Sequence, residues 1–205
     1  MSILTWQMRR GMAKSDAKRD AGLTTPQDIL RVDDIAYGEN KMNVLDVYRP
    51  KNAEGKLPVI VSVHGGGWIY GDKELYQHYC MGLAQRGFAV VNFTYRLSPE
   101  YKFPAQLEDT VKVFHWVLNN AAEYQFDVDN IFAVGDSAGG HVLSLFCILC
   151  TNPDYAKKYA FRTPDGFIPK AVALNCGAYD LNPESNPAGS TLQLMKKEIL
   201  PNKGT

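Results

Sequence analysis

Apolar runs and helical patterns alternate along most of this chain of 205 residues. Four runs rich in β-branched and other apolar residues are predicted to be buried strands, at 59–64, 88–97, 130–135 and 170–176. Three segments with apolar positions at helical spacing lie between them, at 73–86, 105–124 and 138–150. Strands separated by helices of this length form parallel βαβ units. The pattern therefore predicts an α/β fold, in which a mostly parallel sheet carries helices on both faces.

The two ends of the chain have a different pattern. Residues 3–20 have a polar, weakly amphipathic helical pattern, which the following sequence GLTTPQ ends. Residues 32–39 and 42–50 alternate apolar and polar side chains, as expected of an antiparallel hairpin. The final stretch begins as a loop and continues as a short amphipathic helix, whose apolar residues are Leu192, Met195 and Ile199.

Composition narrows the class of protein. The 22 Lys and Arg residues balance 22 Asp and Glu residues, so no basic footprint indicates a nucleic-acid partner. The N-terminus lacks the long apolar run of a signal peptide, and no stretch approaches the roughly 20 apolar residues of a membrane span. We therefore expect a cytoplasmic, single-domain protein without a membrane partner.

The four cysteines do not form the pattern of a disulfide scaffold. Cys147 and Cys150 have the spacing of a redox pair, but they lie inside the apolar helical run HVLSLFCILC. Residues three apart share a face of a helix, so we expect buried packing for both thiols. No second Cys or His pair accompanies them, and the sequence contains no metal or cofactor motif.

A candidate nucleophile lies in the sequence GDSAG, which matches the pattern G-x-S-x-G around Ser137. Gly135 and Gly139 are small enough for a sharp strand-to-helix turn that lifts the serine oxygen clear of the backbone. The flanking sequences agree, because NIFAV precedes the motif as a strand and HVLSLFCIL follows it as a helix. Ser137 is therefore the predicted catalytic residue.

A second motif, HGGGW at residues 64–68, directly follows a predicted buried strand. Its glycines, Gly65, Gly66 and Gly67, let backbone N–H groups approach a substrate closely, as an oxyanion hole requires. Each donor of such a hole typically contributes about 2.7–4 kcal/mol to transition-state stabilisation. In lipases and esterases a loop of this type shares the hole with the N–H of the residue after the nucleophile, here Ala138.

Three segments carry a resemblance to a known family: HGGGWIYGDK, VVNFTYRLSPEYKFPAQLED and VGDSAGGH. In order and spacing they resemble the hormone-sensitive-lipase-like family of α/β-hydrolase esterases, over about residues 30–180. The resemblance implies an α/β-hydrolase fold and a serine ester hydrolase that acts through Ser137. It also implies an oxyanion hole formed by Gly66, Gly67 and Ala138, with Gly65 as a further candidate.

The resemblance also divides the chain into three parts. Residues 1–31 would form a helical lid segment, residues 32–180 a partial hydrolase core, and residues 181–205 the start of an inserted cap or lid. The implied substrate is a small, uncharged carboxylic ester with a short acyl chain or an acetyl group.

Two other serine hydrolase classes do not fit. Trypsin-like proteases carry the similar sequence GDSGG, but they are all-β proteins, whereas Ser137 lies between a strand and a helix. A GDSL-type hydrolase would have its serine near the N-terminus and a leucine in place of Ala138.

The base that Ser137 needs is hard to find among the four histidines. In α/β-hydrolases the acid and the histidine follow the serine along the chain, and His141 alone does so. His141 lies one turn into the following helix, where we expect it to pack towards the sheet, away from the serine oxygen. His64 belongs to the hole loop, which it braces in similar enzymes, while His78 and His115 lie on predicted helices.

Neither nearby acid fits as the acid of a Ser-His-Asp triad. Asp136 belongs to the turn around Ser137, the nucleophile elbow, and Asp180 comes one strand too early for this family. We therefore expect a hydrolase fold that lacks its last strands, together with the triad acid and histidine. The strand at 171–176 would then be an exposed apolar edge, and we expect self-association through it.

Two hypotheses of different classes follow from the sequence. The first is a serine esterase for which this chain supplies the nucleophile and the hole. The second is a catalytically inactive fragment or remnant that keeps a ligand-binding or partner-binding role. A deacetylase of sugars or amides shares the same motifs and stays an alternative within the first class.

Overall fold

The computed structural model describes residues 2–181 and 196–201. Within these ranges the α-helices are α1 (Ile3–Arg19), α2 (Gln77–Ala84), α3 (Ala105–Asn119), α4 (Ala138–Thr151) and α5 (Pro153–Ala156). The strands are β1 (Ile29–Ala36), β2 (Val44–Pro50), β3 (Leu57–Val63), β4 (Ala89–Phe93), β5 (Phe126–Asp136) and β6 (Val172–Asn175). A 3₁₀ turn over Lys73–Tyr76 leads into α2.

The strands form one mixed sheet in the order β1-β2-β4-β3-β5-β6. The pairs β1–β2 and β2–β4 are antiparallel, so the predicted N-terminal hairpin is confirmed. β3 pairs in parallel with both β4 and β5, and β5 pairs in parallel with β6. The sheet is therefore parallel over its four neighbouring strands β4, β3, β5 and β6.

Helices cover both faces of this sheet, as the sequence predicts. Alternate residues of a strand point to opposite faces. In β3 the side chains of Val59, Val61 and Val63 join the large core that contains α3 and α4, whereas Ile60 packs with Met81 of α2. The α/β architecture is thus built on a central strand that is buried on both sides.

The register of β3 against β5 determines where the candidate motifs meet. Val63, the last residue of β3, pairs with Gly135, the first residue of the G-x-S-x-G motif and the last but one of β5. Because carboxyl ends of parallel strands lie at the same edge of a sheet, the loop that begins at His64 and the turn at Ser137 become neighbours. On the other side the Ser137 N–H donates to the Asn175 carbonyl of β6, at 2.8 Å.

Several element boundaries differ from those predicted. β1 covers Ile29–Ala36 rather than 32–39, because Ile29 is buried against the opposite face and its pairing with Pro50 extends the hairpin. β4 ends at Phe93, and β5 begins at Phe126 rather than 130. α3 ends five residues early, because the Asn120 side-chain amide donates to the Trp116 carbonyl at 2.8 Å and so ends the helix.

The predicted C-terminal helix lies mostly outside the described residues, including Leu192 and Met195. Residues 196–199 are helical, and Ile199 is buried in the large core. The Phe103 N–H donates to the Ile199 carbonyl at 2.9 Å, so this turn packs beside the loop before α3. None of the helices in the described ranges is long and apolar enough to cross a membrane.

The two edge strands differ in how well they are protected against pairing with another chain. β1 carries Arg31, Asp33 and Asp34, and charges of this kind discourage edge-to-edge association. β6 has the sequence VALN without a charge, and all four residues are exposed. Self-association through residues 171–176 therefore stays a prediction, and β6 is the edge strand at which we expect it.

We expect concentration-dependent self-association of the purified chain, measured by sedimentation velocity. Val172→Lys places a charge on the β6 edge and is expected to shift the protein towards monomer. Val32→Lys on the opposite edge is the matched control and is expected to change little. A wild-type chain that sediments as a monomer at all concentrations would contradict the prediction.

Candidate active site

Ser137 occupies a strained turn between β5 and α4. Its backbone has φ 51° and ψ −114°, a conformation that costs on the order of 1–3 kcal/mol for a residue with a side chain. A Cβ atom on Gly135 would lie 2.6 Å from the Gly139 carbonyl oxygen, and one on Gly139 would overlap the Val63 carbonyl. The turn therefore requires glycine at both positions, which is the physical content of the G-x-S-x-G pattern.

The glycine loop, residues 64–70, makes an equally tight turn at the end of the neighbouring strand β3. Gly66, Gly67 and Trp68 all have positive φ, at 115°, 62° and 62°. The Tyr70 N–H donates to the Gly66 carbonyl at 3.0 Å, and a Cβ atom on Gly66 would overlap the Tyr70 carbonyl. The backbone conformation of the loop therefore leaves space only for glycine at residue 66.

His64 fixes the first peptide of this loop. Its ring is fully buried and stacks on Tyr95 with centroids 3.9 Å apart. Burial lowers the pKa of His64 to about 4, so the ring is neutral near pH 7. Nδ1 lies 2.7 Å from the Gly65 carbonyl oxygen, an acceptor, and therefore carries the proton. Because C=O and N–H of a trans peptide point in opposite directions, the Gly66 N–H is directed away from His64.

Tyr76 joins the glycine loop to the turn at Ser137. Its hydroxyl donates to the Asp136 carboxylate at 2.5 Å, and the Gly65 N–H faces the same hydroxyl oxygen. Burial and the bond to Asp136 raise the pKa of Tyr76 above its ordinary value, so the hydroxyl keeps its proton. Gly65 thus holds the loop against the elbow, and its N–H is directed to Tyr76 rather than to a substrate.

Three amides at the site are without a hydrogen-bond partner among the described residues: those of Gly66, Gly67 and Ala138. Gly66 and Gly67 are half-buried, and Ala138 is buried at the first position of α4. The N-terminus of a helix carries a partial positive charge, so the Ala138 amide is suited to a negatively charged oxygen. Of the residues predicted to form an oxyanion hole, these three have the available donors.

The four histidines are dispersed over the fold. The His141 ring packs edge-to-face against Trp68 of the glycine loop, with centroids 5.3 Å apart, and burial lowers its pKa. His115 lies 2.9 Å from the Arg162 carbonyl oxygen, and His78 lines a cavity beside α2. In the described part of the chain no histidine nitrogen is hydrogen-bonded to the Ser137 hydroxyl.

That cavity has a volume of about 490 Å³ and adjoins the elbow on the α2 side of the sheet. Asp136, Asn175, Tyr76 and Tyr79 are among its lining residues, whereas Ser137 is not. Its volume falls in the range of small-ligand pockets, and it combines aromatic walls with a few polar groups.

The remaining nucleophilic and metal-ligating side chains do not gather at the site. Burial raises the pKa values of Cys147 and Cys150, the latter to about 12, so both thiols are protonated. Over residues 2–181 and 196–201 no group of three or more His, Cys, Asp or Glu side chains could hold a metal ion.

Sequence reasoning missed Tyr76 and its bridge to Asp136. The two residues are 60 positions apart, and Tyr76 lies outside the glycine-loop and elbow motifs. The fold alone brings the 3₁₀ turn that contains Tyr76 to the end of β5.

The chain is similar in sequence and in fold to known esterases. The BD-FAE family model matches residues 45–200. Esterase LipQ of Mycobacterium tuberculosis is 31% identical over 185 residues, which are 84% of this chain and 43% of LipQ. Versiconal hemiacetal acetate esterase of Dothistroma septosporum is 39% identical over 108 residues, 52% of this chain and 33% of that protein.

A solved structure of esterase B from Lactobacillus rhamnosis has a TM-score of 0.85 and 28% sequence identity. The match covers 93% of this chain and 61% of esterase B. The chain therefore spans less than half the length of the two curated relatives and about three fifths of the solved one.

The depressed pKa of His64 predicts a pH dependence of stability. Unfolded, the imidazole has its ordinary pKa of about 6.5, against about 4 in the fold. Between these values the unfolded state binds more protons, so the His64 contribution is fully present above pH 6.5 and is lost as the pH falls towards 4.

We expect His64→Gln to flatten the plot of unfolding free energy against pH near pH 5, by up to about 1.4 kcal/mol per pH unit. Urea unfolding at pH 4.5–7 measures this slope, with exposed His115→Gln as the control. Equal slopes in His64→Gln and wild type would show that the buried imidazole is not the group that titrates.

Proposed function

The chain belongs to the BD-FAE family of hormone-sensitive-lipase-like α/β-hydrolase esterases, and we propose that it supplies the nucleophile and oxyanion hole of a carboxylic ester hydrolase. One observation carries the proposal: the Ser137 turn lies beside three amides that have no hydrogen-bond partner in the described part of the chain, on two strand ends joined in parallel register. Ester hydrolysis needs this combination, a nucleophile next to donors for the oxygen that becomes negative.

The reaction proceeds through an acyl-enzyme. The Ser137 oxygen attacks the ester carbonyl carbon, the serine proton passes to a base, and the carbonyl oxygen becomes an oxyanion. The amides of Gly66, Gly67 and Ala138 donate to that oxyanion, and its collapse expels the alcohol, which takes up a proton. Water then attacks the acyl-serine by the same route and releases the carboxylic acid.

The base is the part of this mechanism that the four histidines do not provide. His64 is neutral but fully buried, with Nδ1 directed to Gly65, and His141 packs against Trp68. In this fold the acid and the histidine follow the serine. We infer that none of the four histidines serves as the base, and that this chain alone activates Ser137 poorly.

The substrate class we propose is a small, uncharged ester with a short acyl or acetyl group. The name of the relative from Dothistroma septosporum describes an acetate esterase, and its identity of 39% supports this choice. Ser137, Gly66 and Gly67 are all half-buried rather than buried, so a compact acyl group can reach them.

The competing hypothesis is a catalytically inactive remnant that binds a ligand or a partner. The lack of a histidine hydrogen-bonded to Ser137 among the described residues favours it. The two hypotheses differ in whether Ser137 contributes to turnover at all.

The test is hydrolysis of p-nitrophenyl acetate and butyrate by the purified chain. We expect slow turnover that Ser137→Ala reduces, because the Ser137 hydroxyl beside the amide donors can still attack an activated ester when hydroxide takes its proton. Ser144→Ala on α4 is the matched control and is expected to keep the wild-type rate.

The pH profile separates the hypotheses further. Without a histidine base, hydroxide must take the serine proton, so the Ser137-dependent rate is expected to rise steadily with pH. A plateau that begins near pH 7 would contradict this and identify a histidine of the chain, such as His141, as the base. Rates equal to those of Ser137→Ala at every pH would establish the inactive remnant instead.

A further inference from the structure

Helix α1 is attached to the rest of the fold mainly by polar contacts. Among its residues only Thr5 is buried, while Ile3, Leu4 and Trp6 are exposed. Met8 packs half-buried against the large core, which is a small apolar contact for a helix of 17 residues. The hydrogen bonds that hold it must be sought among its charged side chains.

Arg9 makes the most extensive of these contacts. Its Nε donates to the Ile69 carbonyl at 2.6 Å, and its Nη2 donates to the Ser98 carbonyl at 2.7 Å. The same guanidinium binds both carboxylate oxygens of Glu100, at 3.0 and 2.7 Å. The planar fork of arginine can serve three acceptors at once, which a lysine ammonium cannot match in geometry.

The two carbonyls belong to segments that meet at the glycine loop. Ile69 is the residue after Trp68, and its N–H donates to the Gly66 carbonyl at 3.3 Å. The Ser98 N–H donates to the Trp68 carbonyl at 2.9 Å. Arg9 thus binds two segments that are themselves hydrogen-bonded to the loop that carries the Gly66 and Gly67 amides.

A second contact between α1 and the loop lies two helical turns further on. The Tyr70 hydroxyl donates to the Asp16 carboxylate at 2.6 Å. Residues 9 and 16 are seven apart and therefore share one face of the helix. This face of the helix contacts residues 69 and 70 of the loop.

The loop needs such support, because three successive residues have positive φ and one of them, Trp68, is not glycine. Strained backbone of this kind persists only where its surroundings hold it. The ion pair with Glu100 does not explain the arrangement, since its partners are 25% and 45% exposed and surface pairs contribute little. The bonds to the two carbonyls determine the backbone position directly.

We propose that Arg9 is a positioning residue, which holds the Ile69 and Ser98 carbonyls and thereby fixes the glycine loop in the conformation that presents the Gly66 and Gly67 amides. Helix α1 is on this account a brace of the oxyanion loop. The consequence for catalysis rests on the proposed esterase function, whereas the consequence for loop structure does not.

Hydrogen exchange tests the structural claim without any activity. The informative amides are those of Ile69, Tyr70 and Ser98, each bonded within the braced segments. We expect Arg9→Met to increase exchange at these amides at least tenfold, with the amides of β3 and β5 unchanged. Arg10→Met is the matched control, because Arg10 stacks on the exposed ring of Trp6 and is expected to leave exchange unchanged.

Two further variants identify the interaction responsible. Glu100→Gln removes the ion pair but keeps the carbonyl bonds, so near wild-type exchange is expected. Arg9→Lys keeps the charge but loses the fork, so faster exchange at residues 69, 70 and 98 is expected. It also decides the case if Arg9→Met fails to fold.

Ester hydrolysis gives an independent readout. In Arg9→Met we expect about a tenfold lower kcat with little change in KM, because the hole acts on the transition state. If wild type and Ser137→Ala hydrolyse equally, the proposed function fails while the exchange data still decide the role of Arg9. Unchanged exchange at the three amides in both Arg9 variants would overturn the proposal.

Discussion

The parallel pairing of β3 with β5 is the constraint on which the candidate site depends. It places Val63 opposite Gly135, so the glycine loop and the Ser137 turn begin at adjacent points on one edge of the sheet. Gly139 then lies so close to the Val63 carbonyl that no side chain fits there. The candidate nucleophile Ser137 and the proposed donors of Gly66 and Gly67, about 70 residues apart in sequence, become neighbours through this backbone pairing.

Polar side chains then hold two strained backbone segments in place. Neutral His64 binds the Gly65 carbonyl, Tyr76 links that loop to Asp136, and Arg9 holds the far side of the loop. Each acts on a carbonyl or carboxylate next to the reacting groups rather than on a substrate. Preorganisation of this kind is what makes fixed amide donors effective, because they need no rearrangement as charge develops.

Local sequence was enough to predict the α/β class, the hairpin and both glycine motifs. The periodicity of apolar residues and the spacing of glycines can both be read from short stretches of the chain. Strand and helix ends such as those at Ile29 and Asn119 were predicted less well, since they depend on a cross-strand partner and a side-chain cap. Tyr76 and Arg9 could not have been found from sequence. Their partners lie 60 residues away along the chain, and only the fold brings them together.

A crystal structure of the chain treated with an activated alkyl phosphonate ester tests the central claim most directly. The account predicts a tetrahedral adduct on the Ser137 oxygen, with one phosphoryl oxygen about 2.7–3.1 Å from the amide nitrogens of Ala138 and of Gly66 or Gly67. An adduct whose oxygens all face solvent, or one formed on another residue, would contradict it.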